Sequence, residues 1–183
     1  MSFTERTIVE TGAADRVSRP PIPSHLETTR IVAILRRTDA DVAVQTAEAL
    51  LAGGIRSLEV TCDSPGAFDM IAAITQAFGH HALVGAGTVL DAPNAENAIA
   101  AGARFLVSPH VDVDMVRQFT RRGMMWIPGA FTATEVLSAW RAGASIVKLF
   151  PAGPSGPAYV KDLRGPLRDI PLLPTGEIGR AHV

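Results

Sequence analysis

"SIVKLFP" (145–151) is an apolar run closed by a proline, with a single charge, Lys148, inside it. A run of that length and composition reads as a buried strand. Lysine is among the residues least often fully buried, and only two of the chain's 17 basic side chains are lysines, Lys148 and Lys161. A charge placed there implies a sheet with a use for it.

Moving outward, the same kind of segment recurs: "IVAILR" (31–36), "RSLEVT" (56–61), "ALVGAGTV" (82–89), "RFLVSP" (104–109), "MMWIP" (124–128) and "IPLLPT" (170–175). Between them lie six stretches with apolar residues at helical spacing, from "DADVAVQTAEALLAGG" (39–54) to "SGPAYVKDLRGPL" (155–167), several ending in glycine. Each strand and helix together occupy roughly 20 to 25 residues, the rhythm of repeated βα units. The strands are continuous apolar runs, as parallel strands covered by helices require. That pattern fits a (β/α)8 barrel or a doubly wound sheet. "GAGTVL" (85–90) lacks the G-x-G-x-x-G spacing of a dinucleotide site. The polar residues decide for the barrel: Arg36, Glu59, Thr61, Thr88, Ser108, Lys148 and Thr175 fall within or at the C-terminal ends of successive strands, which form the mouth of such a barrel.

Composition narrows the function classes. The chain has 183 residues, 47% apolar and 19% charged, with a net charge of -1. One α/β domain with a sizeable core is expected. There is no basic run for nucleic acid, no apolar run near the roughly 20 residues of a membrane span, and no secretory core in the first two dozen residues. A cytoplasmic protein is expected, with residues 1–24 a mobile extension and 25–176 the barrel. Cys62 is the only cysteine and reads as a small apolar residue. With no H-E-x-x-H and no C-x-x-C, neither a metal nor another cofactor is expected.

Lys148 alone has two readings: a strand-end lysine that snorkels to water, or an amine whose pKa is lowered by burial so that it can attack a ketone. Glu59, a second charge in an apolar strand, is equally ambiguous. It could merely neutralise Lys148, or shuttle protons for imine chemistry. "GAGTVL" places Thr88 where a hydroxyl and backbone amides could hold a carboxylate. Arg36, closing the first strand, could clamp a carboxylate or phosphate or be a solvated loop charge.

The ordered motifs "AILR", "AEALLAGGIRSLEVT", "VGAGTVL", "FLVSP", "TATEV", "VKLFPA", "GPAYVKDLRGPL" and "LLPTG" resemble the class I 2-keto-3-deoxy-6-phosphogluconate (KDPG) and 4-hydroxy-2-oxoglutarate (KHG) aldolases, including their 6-phosphogalactonate relatives. The resemblance runs from about residue 30 to 176. It implies a (β/α)8 barrel, a homotrimer, pyruvate and a phosphorylated keto acid as ligands, Lys148 as Schiff-base lysine, Glu59 as general acid/base and Thr88 on the pyruvate carboxylate. Many members carry an arginine where this chain has Asp63, so Arg36 is expected to take over the carboxylate clamp. Thr175 and Gly176 are what this chain has of the phosphate loops after the last strands. Sugar-phosphate isomerisation or epimerisation on the same barrel, and an inactive fragment, stand as alternatives.

After "LLPTG" the family pattern stops at "EIGRAHV" (177–183). The codons GAG-ATC-GGA-AGA-GCA-CAC-GTC encode these residues and, after the first G, match a widely used sequencing-adapter oligonucleotide. Read-through of an adapter into a longer natural protein is expected, leaving an open barrel of about seven strands with the eighth strand and last helices missing.

Overall fold

The computed structural model describes residues 19–176. The tail at 177–183 and most of the expected extension, residues 1–18, lie outside the described residues. Residues 19–24 do not behave as an extension. Arg19 stacks on the Trp140 ring at 3.7 Å and donates to the Trp140 carbonyl, and buried Pro20 accepts from the Ser145 hydroxyl. A short helix α1 (Ser24–Thr29) follows, absent from the sequence reading.

The chain then alternates as expected: β1 (Ala33–Leu35), α2 (Ala40–Ala52), β2 (Ser57–Thr61), α3 (Ala67–Phe78), β3 (Leu83–Gly87), α4 (Ala92–Ala100), β4 (Phe105–Val107), α5 (Val113–Arg121) and β5 (Met125–Ile127). After these come β6 (Gly129–Ala130), α6 (Ala133–Ala142), β7 (Val147–Leu149), α7 (Gly156–Arg164) and β8 (Leu172–Pro174). All pairings are parallel, in two sheets ordered β1-β2-β3-β4-β5 and β6-β7-β8. Eight short strands stand where seven runs are expected, because the run 124–128 ends at Pro128 and β6 follows on its far side. Proline has no N–H to donate to a ladder; its carbonyl accepts from Lys148 N–H at 2.9 Å instead. β5 therefore pairs with β4, and β6 with β7. Among the described residues no ladder joins β8 to β1, and Ile34 on β1 is 39% exposed.

The (β/α)8-type architecture buries two separate apolar layers. Leu58, Val60, Val84, Ala86, Leu106, Trp126 and Val147 face the helices. Alternate residues, Leu83, Phe105, Val107, Met125, Ile127 and Ile146, fill the lumen, and Leu26 of α1 joins them as a plug at the N-terminal end. Each large side chain buried in this way contributes roughly 1.5–3 kcal/mol. Lumen glycines make room for their neighbours. A Cβ on Gly85 would stand 2.3 Å from the Phe105 ring, and one on Gly129 would stand 2.4 Å from the Pro109 backbone.

Candidate active site

Above the apolar lumen layer, β2 and β7 each point one ionisable side chain inward. Glu59 is in register with Gly85 on β3, and Lys148 with Gly129 on β6 and Leu173 on β8. Alternation along each strand explains the placement: Leu58 and Val60 take the helix side, leaving Glu59 to the lumen, as Val147 leaves Lys148. Glu59 is 2% exposed and Lys148 4%. Among the described residues the two make no direct ion pair, and Glu59 Oε1 is buried without a hydrogen-bond partner. The carboxylate lies against the backbone of Gly87: a Cβ there would be 1.8 Å from Glu59 Oε1. The Lys148 amine sits 4.8 Å from the centre of the Phe150 ring.

Burial governs the electrostatics of both groups. It raises the Glu59 carboxyl above its ordinary value, while Lys148 and Arg36 pull the other way. It lowers the Lys148 amine, opposed by Glu59 and assisted by Arg36. Both shifts favour the neutral forms, an amine with a free lone pair and a carboxyl that keeps its proton.

Beside this pair, at the barrel mouth, Arg36 bridges two loops. One guanidinium nitrogen donates to Asp63 Oδ2 and another to Thr88 Oγ1, both at 3.2 Å. Arg37 and Thr88 take left-handed backbone, with φ of 51° and 53°, a conformation few non-glycine residues adopt. The first is held by Arg37 N–H donating to Ser64 Oγ at 2.9 Å, and Ser64 Oγ is 3.0 Å from Thr61 Oγ1. Asp63 titrates below the usual carboxylate range because of the Thr61 hydroxyl and, more weakly, Arg36. A cleft of about 420 Å³ lined by Arg37, Thr38, Asp39, Ala40, Asp63 and Pro65 opens next to it.

Lys148, Glu59, Arg36 and Thr88 thus occupy one mouth. Thr175 and Gly176 join a second group with the loop after β7. Thr175 accepts from Ala152 N–H at 2.9 Å, and a Cβ on Gly176 would lie 3.1 Å from Gly153 N. The Thr175 hydroxyl donates to the Leu173 carbonyl. Ser108, one of the polar strand-end residues, is a packing element: its hydroxyl accepts from Trp126 Nε1 and donates to the His110 carbonyl. In "TATEV" the chemistry is likewise local, since Thr132 and Glu135 form a capping box for α6. Burial pushes the Cys62 thiol up to about 11, which suits the apolar role read for it. The sequence reading passed over Gly87, Phe150 and the part of Asp63 in the mouth. Gly87 had a signal, since a glycine in a continuous apolar strand marks close approach by a neighbour.

The family model for KDPG and KHG aldolase matches residues 22–183. The 2-dehydro-3-deoxy-6-phosphogalactonate aldolase of Escherichia coli (strain K12) is 35% identical over 149 residues, 81% of this chain and 73% of that protein. The 2-dehydro-3-deoxy-phosphogluconate aldolase of Treponema pallidum is 40% identical over 154 residues, 84% of this chain and 73% of that protein. Among solved structures, KDPG aldolase from Legionella pneumophila, with pyruvate captured as a covalent carbinolamine intermediate, superposes with a TM-score of 0.76 at 30% identity. That match covers 82% of this chain and 73% of the other. Together with two buried ionisable side chains, one acidic and one basic, at the mouth of a parallel α/β barrel, these matches establish that the chain belongs to the KDPG and KHG aldolase family.

Proposed function

We propose that this protein cleaves a 2-keto-3-deoxy-6-phospho sugar acid, of gluconate or galactonate configuration, to pyruvate and D-glyceraldehyde 3-phosphate through a Schiff base on Lys148. 4-Hydroxy-2-oxoglutarate, cleaved to pyruvate and glyoxylate, is a further candidate substrate. The observation that carries this reading is the Lys148 amine, buried to 4% exposure and shifted toward its neutral form, with Glu59 buried in the same lumen.

Lys148 Nζ attacks the C2 ketone, and the neutral Glu59 carboxyl supplies the proton with which the carbinolamine oxygen leaves as water. The iminium then accepts electrons as the C3–C4 bond breaks. Glu59, now ionised, takes the proton of the C4 hydroxyl as the aldehyde departs, and returns a proton to the enamine carbon. Hydrolysis releases pyruvate and restores the amine. Arg36 and Thr88 hold the substrate carboxylate, and the loops bearing Thr175 and Gly176 face the phosphate. The isomerase and epimerase reading is not favoured, because the named relatives are aldolases. A homotrimer is carried over from the family resemblance, and a cytoplasmic location from the composition of the chain. Among the described residues no helix is long and apolar enough to cross a membrane.

Borohydride reduction with pyruvate tests the reading. A covalent adduct located on Lys148 by peptide mass, and lost in Lys148→Met, is expected; reduction without any adduct would refute the mechanism.

A further inference from the structure

Asp63 stands where many family members carry an arginine, and an acid there cannot grip a carboxylate. Its surroundings indicate another task. A chain of polar contacts surrounds it. The Thr61 hydroxyl lies near the Asp63 carboxylate and helps hold its pKa down. The Thr61 and Ser64 hydroxyls share a hydrogen bond of 3.0 Å. The Ser64 oxygen accepts from Arg37 N–H at 2.9 Å. Arg37 adjoins Arg36, whose guanidinium closes the circuit by donating to Asp63 Oδ2 at 3.2 Å. A further Arg36 nitrogen donates to Thr88 Oγ1, also at 3.2 Å. Arg36 keeps guanidinium N–H groups beyond the two engaged by Asp63 and Thr88. The Thr88 hydroxyl hydrogen, with its oxygen already engaged by Arg36, is left to donate outward.

We propose that Asp63 is a positioning residue: by accepting from Arg36 it sets the guanidinium against Thr88, so that both present their remaining donors to the substrate carboxylate. Thr61 and Ser64 are buried and tie the β1 and β2 loops together, which makes Asp63 a fixed post. The part played is geometric. It requires an acceptor at residue 63 and does not require the negative charge, which opposes a bound anion. The inference rests on the reading that Arg36 and Thr88 hold the carboxylate.

Steady-state kinetics of Asp63→Ala, Asp63→Asn and Arg36→Ala, with the phosphorylated keto acid as substrate, test it. Removing the acceptor in Asp63→Ala is expected to raise KM about tenfold, with the loss falling on KM and little on kcat, because the carboxylate it helps to hold carries the same charge in the ground state and the transition state. Asp63→Asn, which keeps an acceptor oxygen, is expected to recover most of that loss. An unchanged KM in Asp63→Ala, or an Asp63→Asn variant as impaired as the alanine, overturns the role of Asp63 alone. An unchanged KM in Arg36→Ala overturns the carboxylate reading together with it. Side-chain loss at this partly exposed loop position is not expected to unfold the protein, and the Asn variant keeps the test decisive if it does.

Discussion

Glu59 and Lys148 are poised by the same cause, removal from water, acting in opposite directions on an acid and a base. Chemistry that needs a free amine and a protonated carboxyl requires pH above the amine's macroscopic pKa and below the carboxyl's. A bell-shaped dependence of kcat/KM is therefore expected, with one limb from each member of the coupled pair. Arg36 helps depress the amine, so Arg36→Ala should move the amine's limb to higher pH. Glu59→Gln, which cannot ionise, should lose the carboxyl's limb and about 10²- to 10⁴-fold in rate. Gly87→Ala should behave much like Glu59→Gln, because the new Cβ takes the space of the carboxylate oxygen. The arrangement opposes stability. Glu59, raised on folding, contributes stability at low pH that is lost as pH rises through its folded value. Lys148, lowered on folding, contributes stability at high pH that is lost as pH falls through its own. At pH values where the unfolded chain has both groups charged, burying them costs stability, and replacing them together, as in Glu59→Leu with Lys148→Met, is expected to be neutral or to stabilise by about 1–4 kcal/mol in urea unfolding.

At the scale of elements, Phe105 fills the space left by Gly85, one strand away. Gly85→Ala should cost about 1–3 kcal/mol of unfolding free energy by forcing that ring aside. A second element-scale effect concerns α1. His25 lies in the plug with a buried, unpartnered Nε2, and burial first, then Arg104 and Arg56, lower its pKa. Its folded value is below its unfolded one, so the stability it contributes is present above the ordinary histidine range and lost as pH falls through it. Thermal unfolding across mildly acidic pH should show a dependence that His25→Gln reduces. These elements were unequally legible. Continuous apolar runs with polar ends marked the strands and the inward charges because burial on both faces leaves few other sequences possible. "SHLETT" gave no such sign: six residues with one buried leucine and no side-chain cap owe their helix to docking under the lumen. The division at Pro128 was present as a proline but invisible as a division, since it depends on which neighbour each half pairs with. Asp63 was legible only as a departure; that it meets Arg36 depends on two loops 27 residues apart in sequence.

For the whole molecule, β1 and β8 each have one flank unpaired among the described residues, which exposes backbone donors and acceptors, with Ile34 part of the apolar surface beside them. Such edges recruit further strands. Concentration-dependent light scattering is expected, and Ile34→Lys should reduce it. The division at Pro128 has a different consequence. Glu59 belongs to the five-stranded sheet and Lys148 to the three-stranded one, and the two sheets meet through the single residue Pro128 between β5 and β6. Neither sheet owns the chemistry. On the proposed Schiff-base reading each is a reagent to the other, so imine formation would double as a gauge of how well the two halves sit together: it would report on assembly within one chain, as activity at a shared site reports on the pairing of two.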